Sequence, residues 1–195
     1  DCLYLYCMEN EENINVKRTD LKSLNRSELN QFLEEMGLAS YRSDQVFQWL
    51  YQKGVSDFSE MTNLSKDLRN RLSDLAEIRR ISEYSRQESQ DGTVKFLFQL
   101  DDPQEFKVEA VLIPDFYEDG VANRLTVCVS SQVGCMFGCS FCATGKMGYF
   151  RSLTHGEIVD QVQQINEFAE ARFGKKITNI VYMGMGEPLH NYKAV

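Results

Sequence analysis

The sequence predicts an α/β protein with a small N-terminal helical module, a β-hairpin extension and the start of a parallel β/α barrel. Two observations predict it. Apolar residues recur at helical spacing up to Arg80 and alternate from Ile81 onward. A strong short strand, Leu125 to Val129, then leads through a glycine- and cysteine-rich loop and a capped helix to a second apolar strand, which is a parallel βαβ unit. Repetition of that unit would build a partial barrel, and a single unit is present here.

Residues 1–16 read as a polar, disordered lead. Met8 opens the run MENEENINV and is the expected native start, with Cys2 and Cys7 upstream of it. Residues 17–80 read as the helical module. Leu29, Phe32, Leu33 and Met36 form one apolar stripe, stopped at Gly37. Val46, Phe47, Trp49 and Leu50 form a second, ended by Gly54, and Leu64, Leu68, Leu72 and Leu75 a third. Packed together they make a helical core that includes Trp49.

Residues 81–123 read as the β extension and its connection. Asp91-Gly92 supplies a turn, after which Phe96, Phe98 and Leu100 alternate with Leu97 and Gln99. Asp101-Asp102-Pro103 makes the next turn. Phe106 to Ile113 reads as a strand with Phe106, Val108, Ala110 and Leu112 on one face and Lys107, Glu109, Val111 and Ile113 on the other. Pro114 is expected to end it, and Asp115 to Asn123 to form a polar connection.

Residues 124–195 read as the first part of the barrel. Thr154-x-x-Glu157 is a capping box opening a helix with Ile158, Val162, Ile165 and Ala169 on one side, closing near Gly174. Ile177 to Met183 reads as the next buried strand. The chain stops at Val195 in a loop-to-helix passage, so it is expected to be the front part of a longer protein.

Composition narrows the class. The 195 residues are 43% hydrophobic and 26% charged, ordinary globular values. No apolar run approaches the ~20 residues of a membrane span. The net charge of −8 is awkward for a nucleic-acid binder, although Arg69, Arg71, Arg79 and Arg80 fall close together. The six cysteines do not spread as pairs, which favours a reducing compartment and a cytoplasmic location.

Three of those cysteines, Cys135, Cys139 and Cys142, have the spacing C-x3-C-x2-C on one glycine-containing loop. Three thiolates so close can hold three irons of a 4Fe–4S cube and leave the fourth open to a substrate. The amino and carboxylate groups of S-adenosylmethionine (SAM) fit such an open iron, and Phe141 before the third cysteine belongs to the same pattern. A structural zinc site wants four ligands, usually as two C-x2-C knuckles, and no second knuckle follows. A disulfide framework does not suit a chain of this size without a secretory signal, and the remaining alternative is three buried free cysteines.

A second motif, Met183-Gly184-Met185-Gly186-Glu187-Pro188-Leu189, ends the next strand. Ligands of parallel α/β folds bind beyond the carboxyl ends of the strands, so this turn and the cysteine loop are expected at one edge. Gly186 permits close backbone approach, and Glu187 can accept hydrogen bonds from the ammonium of SAM.

These motifs resemble the radical SAM superfamily, and more narrowly the RlmN family of dual-specificity RNA methyltransferases. The stretches Cys128-Val129-Ser130-Ser131-Gln132-Val133-Gly134-Cys135, Phe141-Cys142-Ala143-Thr144-Gly145-Lys146-Met147-Gly148 and the Gly-Glu-Pro segment carry the likeness. It extends back through Tyr41–Leu50 and Val108-Glu109 to about Asp20. The resemblance implies a radical SAM partial (βα)6 barrel, truncated here, preceded by an RNA-binding accessory module of helix-hairpin-helix type.

It further implies methylation of carbon 2 of an adenine in the peptidyl-transferase loop of 23S rRNA, and of the adenine 3′ of the anticodon in tRNA. In that family one SAM methylates a cysteine of the C-terminal part. A second SAM, cleaved at the cluster, yields a radical that activates this methyl for addition to carbon 2. By resemblance Cys135, Cys139 and Cys142 hold the 4Fe–4S cluster, Gly186 and Glu187 bind SAM, Glu109 is the proton acceptor and Cys128 the resolving cysteine of a transient disulfide. Whether Glu109 or Cys128 takes the ring proton stays open at the level of sequence. A reductase or flavodoxin-type electron donor and a monomeric state are also expected.

The sequence departs from the family where the methyl-carrying cysteine would lie, since nothing follows Val195, and the chain alone is expected to be inactive. The segment Pro114 to Arg124 looks longer than the compact form of the family's loop, which bears on where Glu109 sits. Two other functions compete: methylation of carbon 8 of the same rRNA adenine, of the antibiotic-resistance type, and a plain RNA-binding module using Arg42, Lys53, Lys66, Arg69 and Arg71 on phosphates.

Overall fold

The computed structural model describes residues 18–195, so the expectations for residues 1–16, Met8, Cys2 and Cys7 lie outside the described residues. Asn25 starts α1 (Arg26–Glu35) with a capping box: its side-chain oxygen accepts from the N–H of Ser27 and Glu28, and Glu28 accepts from its N–H in return. α2 (Tyr41–Phe47) runs on into a π-helical turn, Gln48–Gln52. α3 (Lys66–Leu75) opens on the Ser65 hydroxyl. A short parallel bridge between β1 (Thr19–Asp20) and β2 (Ala76–Glu77) ties the two ends of this module together.

Leu21, Leu29, Leu33, Val46, Leu50, Leu64, Leu68 and Leu72 are buried in one core, as their helical spacing predicts. Leu75 departs from the expectation and is 46% exposed. The helix ends there, and the next residue, Ala76, turns inward in its place. Trp49 lies at the rim, half-buried: its Nε1 donates to Asn63 at 2.5 Å and the Lys53 ammonium sits 3.7 Å above its ring.

A second core lies under a mixed sheet. β3 (Ser82–Glu88), β4 (Val94–Gln99), β5 (Lys107–Phe116) and β6 (Ala122–Cys128) form an antiparallel meander. Two short strands, β7 (Gln132–Gly134) and β8 (Tyr149–Ser152), pair separately. The last strand, β9 (Asn179–Val181), returns to β6 in parallel, so the βαβ unit read from the sequence is present. Its crossover is α5 (His155–Phe173), preceded by the single turn α4 (Ala143–Lys146). Val94, Phe96, Phe98, Val108, Ala110, Leu112, Leu125 and Val127 face α5, which contributes Ile158, Ile165 and Ala169. Each such burial stabilises by roughly 1.5–3 kcal/mol for a large side chain. The predicted α/β class therefore stands.

Three local expectations are corrected. Pro114 does not end β5, which continues to Phe116 with Pro114 opposite Leu125. The last partner of β5 on β4 is Leu112, so past it that side of the strand needs no donor, and proline is tolerated there. Asp115 to Asn123 is not an open connection but a hairpin end, closed by Tyr117 and Val121 and by the Asp119 carboxylate accepting the Val121 N–H at 3.0 Å. The strand expected over Ile177 to Met183 is shorter and not buried: Ile180 is 49% exposed, because β9 has a neighbour on one side alone among the described residues.

α5 also joins the two cores. Gln163 donates to the Leu50 and Tyr51 carbonyls at 3.1 and 2.9 Å. At Gly156 the helix touches the Lys22 backbone so closely that a Cβ would lie 2.6 Å from the Lys22 carbonyl oxygen.

Candidate active site

Beyond Cys128 the chain passes through Val129, Ser130 and Ser131 into β7, and the cysteine loop is the excursion from β7 to β8. The pairing at its base is tight. Gly134 has φ +72, and a Cβ there would lie 1.8 Å from the Gly148 oxygen. The Cys135 N–H donates to that same oxygen at 2.9 Å, and the Cys142 N–H donates to the Cys139 carbonyl at 3.0 Å. Cys135 and Cys142 are half-buried, Cys139 is exposed, and all the described cysteines are free thiols. Phe141 projects outward, 90% exposed.

Among the described residues no three His, Cys, Asp or Glu side chains converge tightly enough to share one ion. A 4Fe–4S cube does not ask for that, since each cysteine ligates a different iron. The donor set suits it. The Gly145 N–H and, less strongly, Thr144 hold the Cys142 thiol below the usual cysteine value, which favours the thiolate a metal needs. The three cysteines thus fit the group their spacing implies.

The Gly-Glu-Pro turn is zipped to the same edge. The Val129 N–H donates to the Val181 carbonyl and the Gly184 N–H to the Val129 carbonyl; those of Ser131 and Gln132 both donate to the Met185 carbonyl. The Met185 N–H donates to the Ser130 hydroxyl at 2.9 Å. Gly186, at φ +97, does come close to another group, but that group is Gln132: a Cβ would stand 2.5 Å from the Gln132 Cβ. One Glu187 oxygen accepts the Leu189 N–H at 3.1 Å, capping the short turn Pro188–Asn191.

Sequence reasoning missed the buried amides that hold this edge. Gln161 on α5 accepts the Ser130 N–H and donates to the Ser130 carbonyl, at 2.9 and 3.1 Å. Asn191 donates to the carbonyls of Ser131 and Leu153, both at 2.9 Å. The available signal was the polar triplet Ser130-Ser131-Gln132 between Val129 and Val133, all of it buried.

Glu109 and Cys128 share a sheet face. Cys128 is the register partner of Val111, and Glu109 lies two residues before Val111, so both side chains leave the face opposite α5. Burial pushes the Cys128 thiol up, and the Met183 N–H opposes this in part. Glu109 Oε1 is 3.1 Å from the Lys95 ammonium, both side chains being 46% exposed.

The basic residues proposed for phosphate are largely engaged. Arg69 donates to the Ser59 carbonyl, Arg71 to the Met36 carbonyl and Arg42 to Gln45, while Lys53 covers Trp49. A cleft of about 570 Å³ lies elsewhere, between the helical module and α5, lined by Arg18, Asp20, Arg79, Asp102, Arg151 and Asp160 among others. No sequence-predicted site residue lines it, and Arg79 and Arg151 are already paired with Glu77 and Asp102 at 2.6 Å each. No helix among the described residues is long and apolar enough to cross a membrane.

Residues 19–78 match the family described as ribosomal RNA large subunit methyltransferase N-terminal domain, and residues 129–195 match the radical SAM superfamily. The chain is 53% identical over 178 residues to a protein of Salinibacter ruber named probable dual-specificity RNA methyltransferase RlmN, with 91% of this chain and 48% of that protein covered. It is 43% identical over 183 residues to a protein of the same name from Chloroherpeton thalassium, covering 92% of this chain and 48% of the relative. Among solved structures it resembles a radical SAM methyltransferase from Sphaerobacter thermophilus, with a TM-score of 0.74, 42% identity, and 90% of this chain and 49% of that one covered. The chain thus spans about half the length of the curated relatives it matches. With both family segments in order along one chain and the cysteine loop and Gly-Glu-Pro turn meeting at one sheet edge, this chain belongs to the RlmN family of the radical SAM superfamily.

Proposed function

We propose that this chain supplies the cluster-binding and SAM-binding part of an RNA methyltransferase. Its substrates in this reading are carbon 2 of an adenine in the peptidyl-transferase loop of 23S rRNA and of the adenine 3′ of the anticodon in tRNA. The observation that carries the reading is a shared edge: Cys128, at the carboxyl end of β6, lies where the cysteine loop and the Gly-Glu-Pro turn both emerge. Cys135, Cys139 and Cys142 would hold the 4Fe–4S cluster, and Gly186 and Glu187 the methionine end of SAM. When bound, cluster and SAM supply hydrogen-atom abstraction from an unreactive C–H bond.

The residues of this chain divide the remaining work. Glu187 uses one oxygen on the Leu189 N–H, leaving the other for an ammonium. Cys128 is the resolving cysteine, which closes a transient disulfide with a methyl-carrying cysteine outside the matched positions. Because burial raises the Cys128 thiol, it holds its proton at neutral pH, and a protonated sulfur cannot accept another proton. That favours Glu109, on the same face, as acceptor of the ring proton. Residues 17–80 act as the RNA-binding accessory module, residues 81–123 as the β extension, and residues 124–195 as the first part of the catalytic core. A flavodoxin-type reductant, a monomeric state and a cytoplasmic location complete the reading.

The test is anaerobic reconstitution of the full-length protein with iron and sulfide, then EPR of the reduced form with and without SAM, with Cys139→Ala as control. A 4Fe–4S signal that shifts with SAM and vanishes in the variant is expected. Mass spectrometry of rRNA and tRNA should then find 2-methyladenine. Finding 8-methyladenine would assign the carbon-8 reaction instead, and RNA binding without a cluster would leave only a binding module.

A further inference from the structure

Gln132 lies three residues before Cys135 on β7, and its side chain reaches the Gly-Glu-Pro turn rather than the loop that follows it. It is fully buried. Its Oε1 accepts the Glu187 N–H at 3.0 Å, and its own N–H donates to the Met185 carbonyl at 3.2 Å. Its Nε2 reaches His190 Nδ1 at 3.2 Å and the Ser152 hydroxyl at 3.4 Å. Gly186 rests against its Cβ so closely that no other residue fits at that point without displacing one of them.

Each contact has the same consequence. The strand that leads into the thiolate loop is bolted, through one amide, to the backbone of Glu187 and to the turn that follows it. A buried amide with both ends bonded holds its partners in one arrangement, because leaving either end unpaired costs free energy. Glu187 itself has no covalent neighbour in the cysteine loop, so their separation depends on cross-chain contacts of this kind.

We propose that Gln132 is a positioning residue that sets the distance between the cluster cysteines and Glu187, and thereby the affinity for SAM. The proposal rests on the reading of Cys135, Cys139, Cys142 and Glu187 given above. Gln132 touches neither cluster nor SAM in this account and acts through Glu187 and Gly186.

The test uses the reconstituted full-length protein. Gln132→Met keeps length and volume but removes both hydrogen-bonding ends. Iron content and the EPR signal of the reduced cluster without SAM are expected to stay at wild-type level. The SAM concentration that half-completes the EPR shift is expected to rise about tenfold, the scale of a lost buried hydrogen bond with its partner left unpaired. In Gln132→Glu the carboxylate still accepts the Glu187 N–H, and exposed His190 can present Nδ1–H to it by changing tautomer, so near-wild-type SAM response is expected. His190→Ala, at the exposed end of the same contact, should raise the half-point about threefold without opening the core. Should Gln132→Met fail to fold, the His190→Ala measurement decides.

An unchanged half-point in loaded Gln132→Met, or in His190→Ala where the first variant is lost, overturns the proposal alone. Loss of the cluster together with the SAM response in folded Gln132→Met also overturns it, since Gln132 would then act on the loop. A wild-type cluster indifferent to SAM sinks the SAM-site reading and this inference with it.

Discussion

Lys22 and Asp160 form an ion pair between the helical module and α5, with each side chain 2% exposed and the two 138 residues apart in sequence. Gln163 accepts a further bond from the Lys22 ammonium at 3.0 Å, and the second Asp160 oxygen accepts the Ile81 N–H at 3.0 Å. Burial pushes the Asp160 carboxyl up, and Lys22 opposes that.

A buried pair adds little over apolar packing, but removal of one member strands the other charge. Lys22→Met and Asp160→Leu are each expected to cost about 3–5 kcal/mol, and the double variant to cost much less than their sum. Urea unfolding of all four proteins measures the coupling. Additive losses would mean that the two groups act independently.

The start of α5 carries a second network. Thr154 and Glu157 exchange capping bonds, and Glu157 also binds Arg151 at 2.7 and 2.9 Å, while Arg151 holds Asp102 at 2.6 Å. Thr154→Ala should cost about 1 kcal/mol, the worth of a cap. Glu157→Ala removes the reciprocal cap and a charge-assisted pair together, so a loss of about 2–3 kcal/mol is expected. Thermal unfolding of the two variants checks the order, and equal losses would count against it.

Gly134→Ala should be among the costliest single methyl additions in the chain. The new methyl would meet the Gly148 oxygen at 1.8 Å, and the backbone is already at φ +72. A penalty of about 3 kcal/mol is expected from the clash and the strained φ together. Proteolysis should then open the segment between β7 and β8 before it touches the large sheet. Wild-type resistance there would refute the account of the β7–β8 base.

Cys128 gives a prediction with a sign in pH. Its folded thiol is raised by burial, so folding favours the neutral form. That contribution to stability is full below the unfolded thiol's value and is lost as pH climbs through the folded one. Alkylation of Cys128, followed by mass spectrometry between about pH 7 and 11, should therefore have its midpoint above that of the same cysteine in urea-unfolded protein. A midpoint at or below the unfolded one would contradict the burial argument.

Much of this was legible from residue order. The Thr154–Glu157 cap, the alternation at Phe96 and Phe98, and the stripes through Leu29, Leu33, Leu68 and Leu72 are local patterns, and local physics decides them. Pro114 misled because a proline's cost depends on whether a neighbouring strand needs its N–H, which is a fact about β4. Ile180 misled because its apolar character says nothing about how many strands flank β9. Lys22 and Asp160 left no signal at all, since nothing in either neighbourhood names a partner in another helix. At the site, the thiol spacing was readable, but the amides of Gln132, Gln161 and Asn191 act across distant segments and were not.

The position of β6 has a mechanical meaning. It is clasped by β5 on one side and β9 on the other, and α5 lies across one face. Cys128 therefore rides on stiff material, whereas Cys139 and its neighbours lie on an exposed loop beyond the strand. A sulfur that must be approached along one line needs an anvil behind it. Sulfurs that must close around an inserted mineral core need give. The chain builds both within fifteen residues, from Cys128 to Cys142, by placing one thiol inside the weave of the sheet and the others on its fringe.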